Sequence, residues 1–284
     1  MILLTGATGK IGRNLATILG ERGVPTRALV RDTTKAADIA AAGVELIQGG
    51  LTPTDLDRAL TGVDTVYLAV GGTPDQVELE NAVIDGAARA GVKRIVKISV
   101  NGADPAAPLT LAKWHGEIEQ HLAASGVPAT ILRPNFFMQN FLGSAGSIAG
   151  EGNLYGASDD GRVAFIDDRD IAAVAANVLV GDGHDGKEYV LSGPDSLSYP
   201  EVASTISSAT GKPVTYVNLT DNQMRGALLG MQFPEWLANA YIDLNLVIRN
   251  NWAAEPIGDT ERLLGRATRS FSDFARENAA AFSG

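Results

Sequence analysis

A glycine-rich turn directly after the first apolar run restricts what the start of this chain can fold into. The run Met1–Leu4 is short and wholly apolar, as a buried parallel strand is, and the turn after it has the sequence TGATGKIG. The next segment places Ile11, Leu15 and Leu19 on one helical face. Glycines between a strand and a helix let a ligand approach the backbone amides at the helix start, which favour an anion. We therefore predict a phosphate-binding turn, with a plain tight turn as the alternative.

Strand-like and helix-like segments alternate along the first half of the chain with short connections. This alternation predicts an α/β fold, a doubly wound parallel sheet of the Rossmann type, whose ligands bind at the carboxyl ends of the strands. The predicted strands are residues 26–30, 44–48, 65–70, 94–99 and 129–133, and the predicted helices surround residues 35–42, 54–60, 76–90, 113–125 and 170–179.

The regular alternation ends at about residue 184. An irregular apolar segment from Asn222 to Asn251 forms either a lid over a substrate or a second small core. Before it, Ser198 and Glu201 indicate a helix capping box. We predict a Rossmann NAD(P)-binding domain at residues 1–135 and 163–183, and a smaller substrate-binding or lid region at residues 136–162 and 184–284.

The composition excludes several classes of function. The formal net charge of −10 argues against a nucleic-acid partner, because a negative surface repels phosphates. The chain has no cysteine, and its histidines (His115, His121 and His184) do not form a convincing metal set, so no metal site is expected. No apolar run approaches a membrane span and no basic leader precedes the first strand, so we expect a cytoplasmic protein without a membrane partner. A monomer and a homodimer both remain open.

The end of the second predicted strand bears on the choice of dinucleotide. NAD-specific sites usually carry an acidic residue there, about 20 residues beyond the glycines, to bind the ribose 2′-hydroxyl. This chain has Arg31 at that place, and a guanidinium pairs well with a 2′-phosphate, with Arg13 or Lys35 as helpers. We predict NADP(H) as the preferred cofactor. Asp32 keeps NAD(H) as the alternative, with Arg31 then a solvated strand end.

Several segments together resemble the NmrA-like family of atypical short-chain dehydrogenases. They are TGATGKIG, the VRD after the second strand, LRPNFFMQNF, FIDDRDIAAVAA and the C-terminal GRATRSFSDFARENAAAF, so the resemblance extends over essentially the full chain. It implies a Rossmann domain with a small C-terminal substrate region. It also implies binding of NADP(H) or NAD(H), and activities that range from quinone or azo-dye reduction to redox sensing without turnover.

The resemblance also implies which residues contact the cofactor. Those expected along the pyrophosphate are Gly6, Thr8, Gly9, Lys10, Ile11 and Gly12. Those expected beside the adenine and the riboses are Leu51, Ala69, Val70 and Gly71. Those expected near the nicotinamide are Ser99, Pro134, Asn135 and Phe136.

The chain departs from the related short-chain dehydrogenases at the residue that donates a proton. Those enzymes use a Tyr-x-x-x-Lys pair, in which the tyrosine protonates the carbonyl oxygen. Here Lys113 aligns with the lysine, but Leu109 occupies the tyrosine position. We predict that Lys113 binds the nicotinamide ribose, with a solvated helix face as the alternative. His115 is the candidate replacement proton donor, with a structural role as the alternative.

These inferences predict an NADPH-dependent oxidoreductase that reduces a quinone-like or conjugated aromatic small molecule. Quinones suit a site without the tyrosine, because hydride addition gives a stabilised hydroquinone anion. One alternative is a non-enzymatic NAD(P)-sensing regulator of the NmrA type, which the missing tyrosine favours. Another is a tailoring oxidoreductase of an aromatic polyketide or secondary-metabolite pathway.

Overall fold

The computed structural model describes residues 1–284. The strands are β1 (Ile2–Leu4), β2 (Thr26–Val30), β3 (Glu45–Gln48), β4 (Thr65–Leu68), β5 (Arg94–Ile98), β6 (Ala129–Pro134), β7 (Asn153–Gly156), β8 (Arg162–Ala164), β9 (Glu188–Leu191), β10 (Ser196–Ser198) and β11 (Thr215–Asn218). The α-helices are α1 (Lys10–Glu21), α2 (Ala37–Ala41), α3 (Pro53–Ala59), α4 (Gln76–Arg89), α5 (Thr110–Ala124), α6 (Ala145–Glu151), α7 (Asp168–Val180), α8 (Tyr199–Thr210), α9 (Asp221–Gly230), α10 (Glu235–Arg249), α11 (Asp259–Leu264), α12 (Phe271–Glu277) and α13 (Ala279–Ser283). Two 3-10 helices span Thr33–Ala36 and Met138–Ser144.

The first of two compact units comprises Met1–Pro134 and Asp168–Val190. Its seven-stranded sheet has the order β3-β2-β1-β4-β5-β6-β9, and β1 pairs in parallel with both β2 and β4. The chain thus starts in the middle of the sheet and winds outwards in both directions, which places the switch point at β1 and β4. The predicted doubly wound parallel sheet of the Rossmann type is confirmed.

The predicted elements of this unit all form, with small differences at their ends. The region predicted as one helix at 35–42 is divided into a 3-10 turn, Thr33–Ala36, and the short helix α2, because the Asp32 side chain caps the chain two residues earlier than expected. Helix α5 begins at Thr110, so Lys113 lies in its first turn and His115 in its second. The core between sheet and helices is aliphatic, and Leu3, Val66 and Ile95 at its centre are fully buried.

The second unit comprises Asn135–Asp167 and Leu191–Gly284. It contains two small two-stranded sheets, antiparallel β8–β10 and parallel β7–β11. Its core is aromatic, and the ring of Phe141 lies 5.1 Å from that of Phe165 and 5.3 Å from that of Phe271. The capping box of Ser198 and Glu201 at the start of α8 is confirmed. Residues 184–190 fold with the first unit, whereas the sequence placed them in the smaller region. Asn135 and residues 163–167 fold with the second unit, whereas the sequence placed them in the Rossmann domain.

The apolar segment from Asn222 to Asn251 folds as the helix pair α9 and α10 within the second unit. Arg249 donates to both carboxylate oxygens of Asp221 at 2.6 and 3.0 Å, which joins the end of α10 to the start of α9. Met231 and Trp252, just after the two helices, are 64% and 59% exposed. A role for this pair as a lid stays a prediction. None of the helices combines the length and the apolar character that crossing a bilayer requires.

Candidate cofactor site

Two glycines of the turn after β1 are required by the packing of the backbone itself. Gly6 has a φ of +61°, and a β-carbon on it would lie 2.4 Å from the carbonyl oxygen of Ala69. A β-carbon on Gly12 would lie 2.3 Å from the carbonyl oxygen of Gly6. Both approaches are far inside van der Waals contact, so any side chain at either position would displace the turn.

Gly9, the middle glycine of the turn, has more space around it than Gly6 and Gly12 have. Its φ of −74° suits any residue, and a β-carbon there would meet only the carbonyl oxygen of Gly6, at 3.3 Å. It is the N-cap of α1 and is exposed, as are Thr8 and Lys10. No side chain caps this helix start. The start of α1, exposed at Gly9 and Lys10 and without a side-chain cap, therefore forms a cradle that an anionic pyrophosphate fits and that a side chain at Gly9 would fill.

A threonine joins this turn to the loop that follows β4. The Thr5 hydroxyl accepts from the N–H of Ala69 at 2.9 Å and lies 3.1 Å from the carbonyl oxygens of Tyr67 and Ala69. Ala69 and Val70 are half-buried, and a β-carbon on Gly71 would meet no atom within 4 Å. The loop thus lies beside the glycine turn with its far side open. Its contact with adenine and ribose stays a prediction, as does that of the half-buried Leu51.

The side chains after β2 bear on the choice between the two dinucleotides. The Asp32 carboxylate accepts from the Thr34 hydroxyl at 2.6 Å and from the Thr34 N–H at 3.0 Å, and these bonds lower its pKa. Asp32 therefore caps its own turn. Arg31 is exposed, and its guanidinium has neither a hydrogen bond nor an ion pair within the protein. A free guanidinium and an engaged carboxylate fit a 2′-phosphate better than a 2′-hydroxyl.

Arg13 and Lys35, the two cations predicted to bind the 2′-phosphate together with Arg31, differ in whether the protein already binds their charged group. Arg13 donates to the Asp38 carboxylate and, at 2.8 Å, to the carbonyl oxygen of Lys35. Its guanidinium is thereby held on the protein. Lys35 is exposed, and its ammonium lies near enough to Asp32 to help lower the pKa of that carboxyl. Of the two, Lys35 is the cation that a phosphate beside Arg31 can recruit.

Replacement of Arg31 by alanine is expected to weaken NADPH binding about tenfold or more and to leave NADH binding nearly unchanged. One charge-assisted contact contributes about 1.5–3 kcal/mol, and only NADPH carries the group that makes it. Calorimetric titration with both dinucleotides measures the two affinities, and Arg13→Ala is the control because that guanidinium is already engaged. Equal losses for both cofactors in Arg31→Ala would show that Arg31 does not contact the 2′ position.

Helix α5 presents Lys113 to solvent. Leu109 is the N-cap residue of this helix and supplies no polar side chain. The Lys113 side chain is 54% exposed, and its ammonium lies 3.9 Å from the Glu117 carboxylate, which is too long for a strong pair. Lys113 is therefore free to move towards a ligand. Its contact with the nicotinamide ribose stays a prediction.

His115, by contrast, is buried within a polar cluster that also contains Gln76, Glu80 and Lys97. The ammonium of Lys97 lies 2.6 Å from the Glu80 carboxylate and 3.1 Å from Nδ1 of His115. The amide nitrogen of Gln76 lies 3.3 Å from Nε2 of His115 and 3.0 Å from Glu80. Burial, together with the nearby positive charge of Lys97, holds the pKa of His115 well below its usual range.

This environment does not suit the predicted role of His115 as a proton donor. A donor must carry the proton at neutral pH, and the depressed pKa keeps the imidazole neutral there. Nδ1 lies 3.1 Å from the Lys97 ammonium, which can only donate, so the neutral ring carries its single proton on Nε2, beside the side-chain amide of Gln76. The structural role that the sequence left open therefore accounts better for what His115 contacts.

The turnover rate is expected to be flat between about pH 6 and 9, because a histidine with a depressed pKa does not change its charge in that range. His115→Gln, which keeps a polar side chain beside Lys97, is expected to retain most of kcat. The measurement is the pH dependence of kcat in both proteins. A rate that falls in the wild type as pH rises through a pKa near neutrality, and a profile without that fall in the variant, would restore His115 as the acid.

The residues predicted near the nicotinamide fall in both units. In the first, Ser99 is buried and its hydroxyl donates to the Glu119 carboxylate, and Pro134 ends β6. In the second, the Asn135 side chain donates to the carbonyl oxygen of Ala253 at 2.8 Å, and Phe136 packs against the aromatic core. Contact of these residues with the nicotinamide stays a prediction.

Sequence reasoning did not identify Glu80 and Lys97. A signal was present, because Lys97 interrupts the apolar strand RIVKI and its side chain is fully buried in the fold. A charge in the middle of a buried strand requires a partner of opposite charge. The partner cannot be found from spacing, since Glu80 lies on a different element, α4.

The chain matches the model of the NmrA-like family over residues 1–263. It is 41% identical to an NAD(P)H azoreductase of Xenophilus azovorans, with 99% of each chain covered. It is 33% identical to quinone oxidoreductase 2 of Escherichia coli strain K12, with 96% of each covered. Among solved structures, it is similar to NADPH-dependent quinone oxidoreductase QOR2 of Escherichia coli complexed with NADPH, with a TM-score of 0.89, 31% identity and coverage of 98% of this chain and 99% of that one. The predicted family is confirmed, and the chain belongs to the NmrA-like family.

Proposed function

We propose that this protein is an NADPH-dependent reductase of quinone-like or azo-type conjugated aromatic molecules. The observation that carries the cofactor assignment is the free guanidinium of Arg31 next to an Asp32 that caps its own turn. The relatives support the reaction class, since two are named as an NAD(P)H azoreductase and a quinone oxidoreductase. The relatives confirm two predictions, that the chain is an oxidoreductase and that its cofactor is NADP(H).

The residues of the chain have separate tasks in this reaction. The bound nicotinamide supplies a hydride. The amides at the start of α1, opened by Gly9, hold the pyrophosphate, and Arg31 holds the 2′-phosphate. Lys113 reaches the ribose from the exposed first turn of α5. Leu109 donates no proton, so the acceptor must tolerate negative charge until water protonates it. Quinones do, because their reduced anion is aromatic.

The alternatives have weaker support. A regulator that senses NAD(P) without turnover was favoured by the missing tyrosine, but the two relatives named above, which match almost the whole chain, are named as an azoreductase and a quinone oxidoreductase. A tailoring enzyme of an aromatic polyketide pathway would share the cofactor site and differ only in its acceptor. Cytoplasmic location, a monomeric or homodimeric state and the absence of nucleic-acid partners stay predictions from the sequence.

The test is oxidation of NADPH by the purified protein with a panel of quinones, azo dyes and aromatic ketones. Turnover with quinones or azo dyes, and little with ketones that need a proton donor, is the expected result. Turnover only with ketones would contradict the acceptor class. Tight binding of NADPH with no turnover on any acceptor would instead favour the sensor. NADH in place of NADPH is the control for the cofactor assignment.

A further inference from the structure

The loop after β3 begins with two adjacent glycines, and the amides of both are held by other parts of the first unit. Gly49 donates its N–H to the carbonyl oxygen of Val30, the last residue of β2, at 2.9 Å. Gly50 donates its N–H to the side-chain carboxylate of Asp55, on α3, at 2.9 Å. Two successive glycines would otherwise give this loop wide conformational freedom. The two hydrogen bonds therefore fix the loop beside the end of β2.

The Asp55 carboxylate packs closely against this loop. A β-carbon on Gly49 would lie 2.6 Å from its carboxyl carbon, so any side chain at that position would displace the carboxylate. One carboxylate oxygen accepts from the Thr52 hydroxyl at 3.1 Å as well as from Gly50, and the other accepts from the Arg58 guanidinium at 3.0 Å. The same guanidinium nitrogen also donates to the carbonyl oxygen at the end of β3. Asp55 and its ion pair thus join the loop to both α3 and β3.

The loop lies beside the residue proposed to bind the 2′-phosphate. Arg31 directly follows β2, and its carbonyl oxygen lies 3.5 Å from the side-chain amide of Gln48, the last residue of β3. In NADPH the 2′-phosphate is attached to the ribose of the adenosine half. A dinucleotide with its pyrophosphate at the start of α1 and its 2′-phosphate at Arg31 therefore brings its adenosine to the carboxyl ends of β2 and β3. The half-buried Gly49 and Gly50 border that place.

We infer that Asp55 is a positioning residue for the adenosine half of the dinucleotide, an inference that rests on the proposed function. Its carboxylate holds the Gly50 N–H and, through Arg58, the carbonyl oxygen at the end of β3, and so sets the shape of the surface beside Arg31. The Gly50 N–H requires an acceptor oxygen and not a negative charge. Loss of that oxygen should weaken the binding of NADPH and NADH equally, because both carry the same adenosine.

Three variants separate the oxygen of this side chain from its charge. Asp55→Ala removes both. Asp55→Asn removes the charge and keeps an oxygen for Gly50. Asp57→Ala is the matched control, because it removes an exposed carboxylate from the same helix, one that pairs with Arg89 at 3.5 Å rather than with the loop. All three variants are expected to fold, since neither carboxylate is fully buried.

The first readout is hydrogen exchange of the Gly50 amide without any cofactor. Exchange in Asp55→Ala is expected to be about tenfold or more faster than in Asp55→Asn and in Asp57→Ala. Equal exchange in the three variants would overturn the inference.

A fourth variant covers the case in which Asp55→Ala misfolds. Gly49→Ala displaces the Asp55 carboxylate but keeps its charge, so the Gly50 amide is expected to exchange about tenfold or more faster than in the wild type. Unchanged exchange of that amide would contradict the inference.

The second readout is the affinity for NADPH and for NADH. Asp55→Ala is expected to bind each about tenfold more weakly, with a raised KM for both and little change in kcat, whereas Arg31→Ala weakens NADPH alone. Asp55→Asn and Asp57→Ala are expected to bind both as the wild type does. Tighter NADPH binding by both variants of Asp55 would show that this residue acts only by repelling the 2′-phosphate, and would overturn the inference. A loss confined to NADPH would overturn it as well.

Failure of this inference can be told apart from failure of the proposed function. If the wild type binds neither dinucleotide, the proposed function fails, and the role of Asp55 towards the adenosine fails with it. The exchange of the Gly50 amide then still decides whether Asp55 fixes the loop. If the wild type binds both dinucleotides and Asp55→Ala binds them equally well, the inference alone is wrong.

Discussion

Replacement of Gly9 by valine is expected to abolish NADPH binding while the protein still folds. The backbone at Gly9 suits any residue, and a β-carbon there meets only one atom, the Gly6 carbonyl oxygen at 3.3 Å, so the turn can accommodate it with a small shift. The branched side chain would occupy the space above the amides at the start of α1. A loss of more than about 100-fold in affinity is expected, since the pyrophosphate can no longer reach those amides.

The other two glycines of the turn provide the contrast. A β-carbon on Gly6 or Gly12 would lie within 2.4 Å of a backbone oxygen, so valine at either position is expected to lower the melting temperature sharply, with or without cofactor. Gly150→Val, at a helical position in α6 where a β-carbon meets no atom, is the control and should leave binding unchanged. Calorimetry and thermal melting on the same samples separate the two effects. Normal NADPH binding by a folded Gly9→Val protein would contradict the assignment of the turn.

The fold could be predicted from the sequence because its signals are local. Most of the parallel strands are short and largely apolar, and the turn that starts α1 carries its three glycines within the eight residues 5–12. The division of the chain into two units depends instead on long-range contacts. Strand β9 adds to the sheet through the Lys187 carbonyl, which accepts from the Ile131 N–H at 2.9 Å, and such a long-range pairing has no local signal.

Candidate site residues could be identified from the sequence only where the place of a residue along the chain indicates its role. Arg31 and Asp32 were both recognised, but the choice between them depended on whether the carboxylate is free, and only the cap to Thr34 settles that. His115 was recognised as an ionisable residue at a suitable place. Its charge state depends on Lys97, which lies on another element, so its role could not be derived from the sequence.

Removal of the buried lysine is expected to be the most destabilising single change in this region. Lys97→Met leaves the Glu80 carboxylate fully buried without its cation, and breaking a buried pair in this way costs about 3–5 kcal/mol. Burial already raises the pKa of Glu80, and only the ammonium of Lys97 and the hydrogen bonds oppose it. In the variant the carboxyl will therefore take up a proton well above the pH at which it does so in the unfolded chain.

The sign of the pH dependence follows from that raised pKa. A group that binds its proton more tightly in the folded state contributes stability at low pH and loses it as pH rises through the folded pKa. The difference in stability between Lys97→Met and the wild type should therefore be largest at pH 7 and above and should shrink as the solution is acidified.

Urea unfolding at several pH values measures this difference in stability, and Glu80→Leu/Lys97→Met, which has no buried charge, is the matched control. We expect the double variant to recover most of the lost stability at pH 7, because the penalty arises from the uncompensated carboxylate rather than from the lost lysine. A double variant as unstable as the single one would mean that the shape of the lysine side chain, and not the charge balance of the pair, is what the core requires.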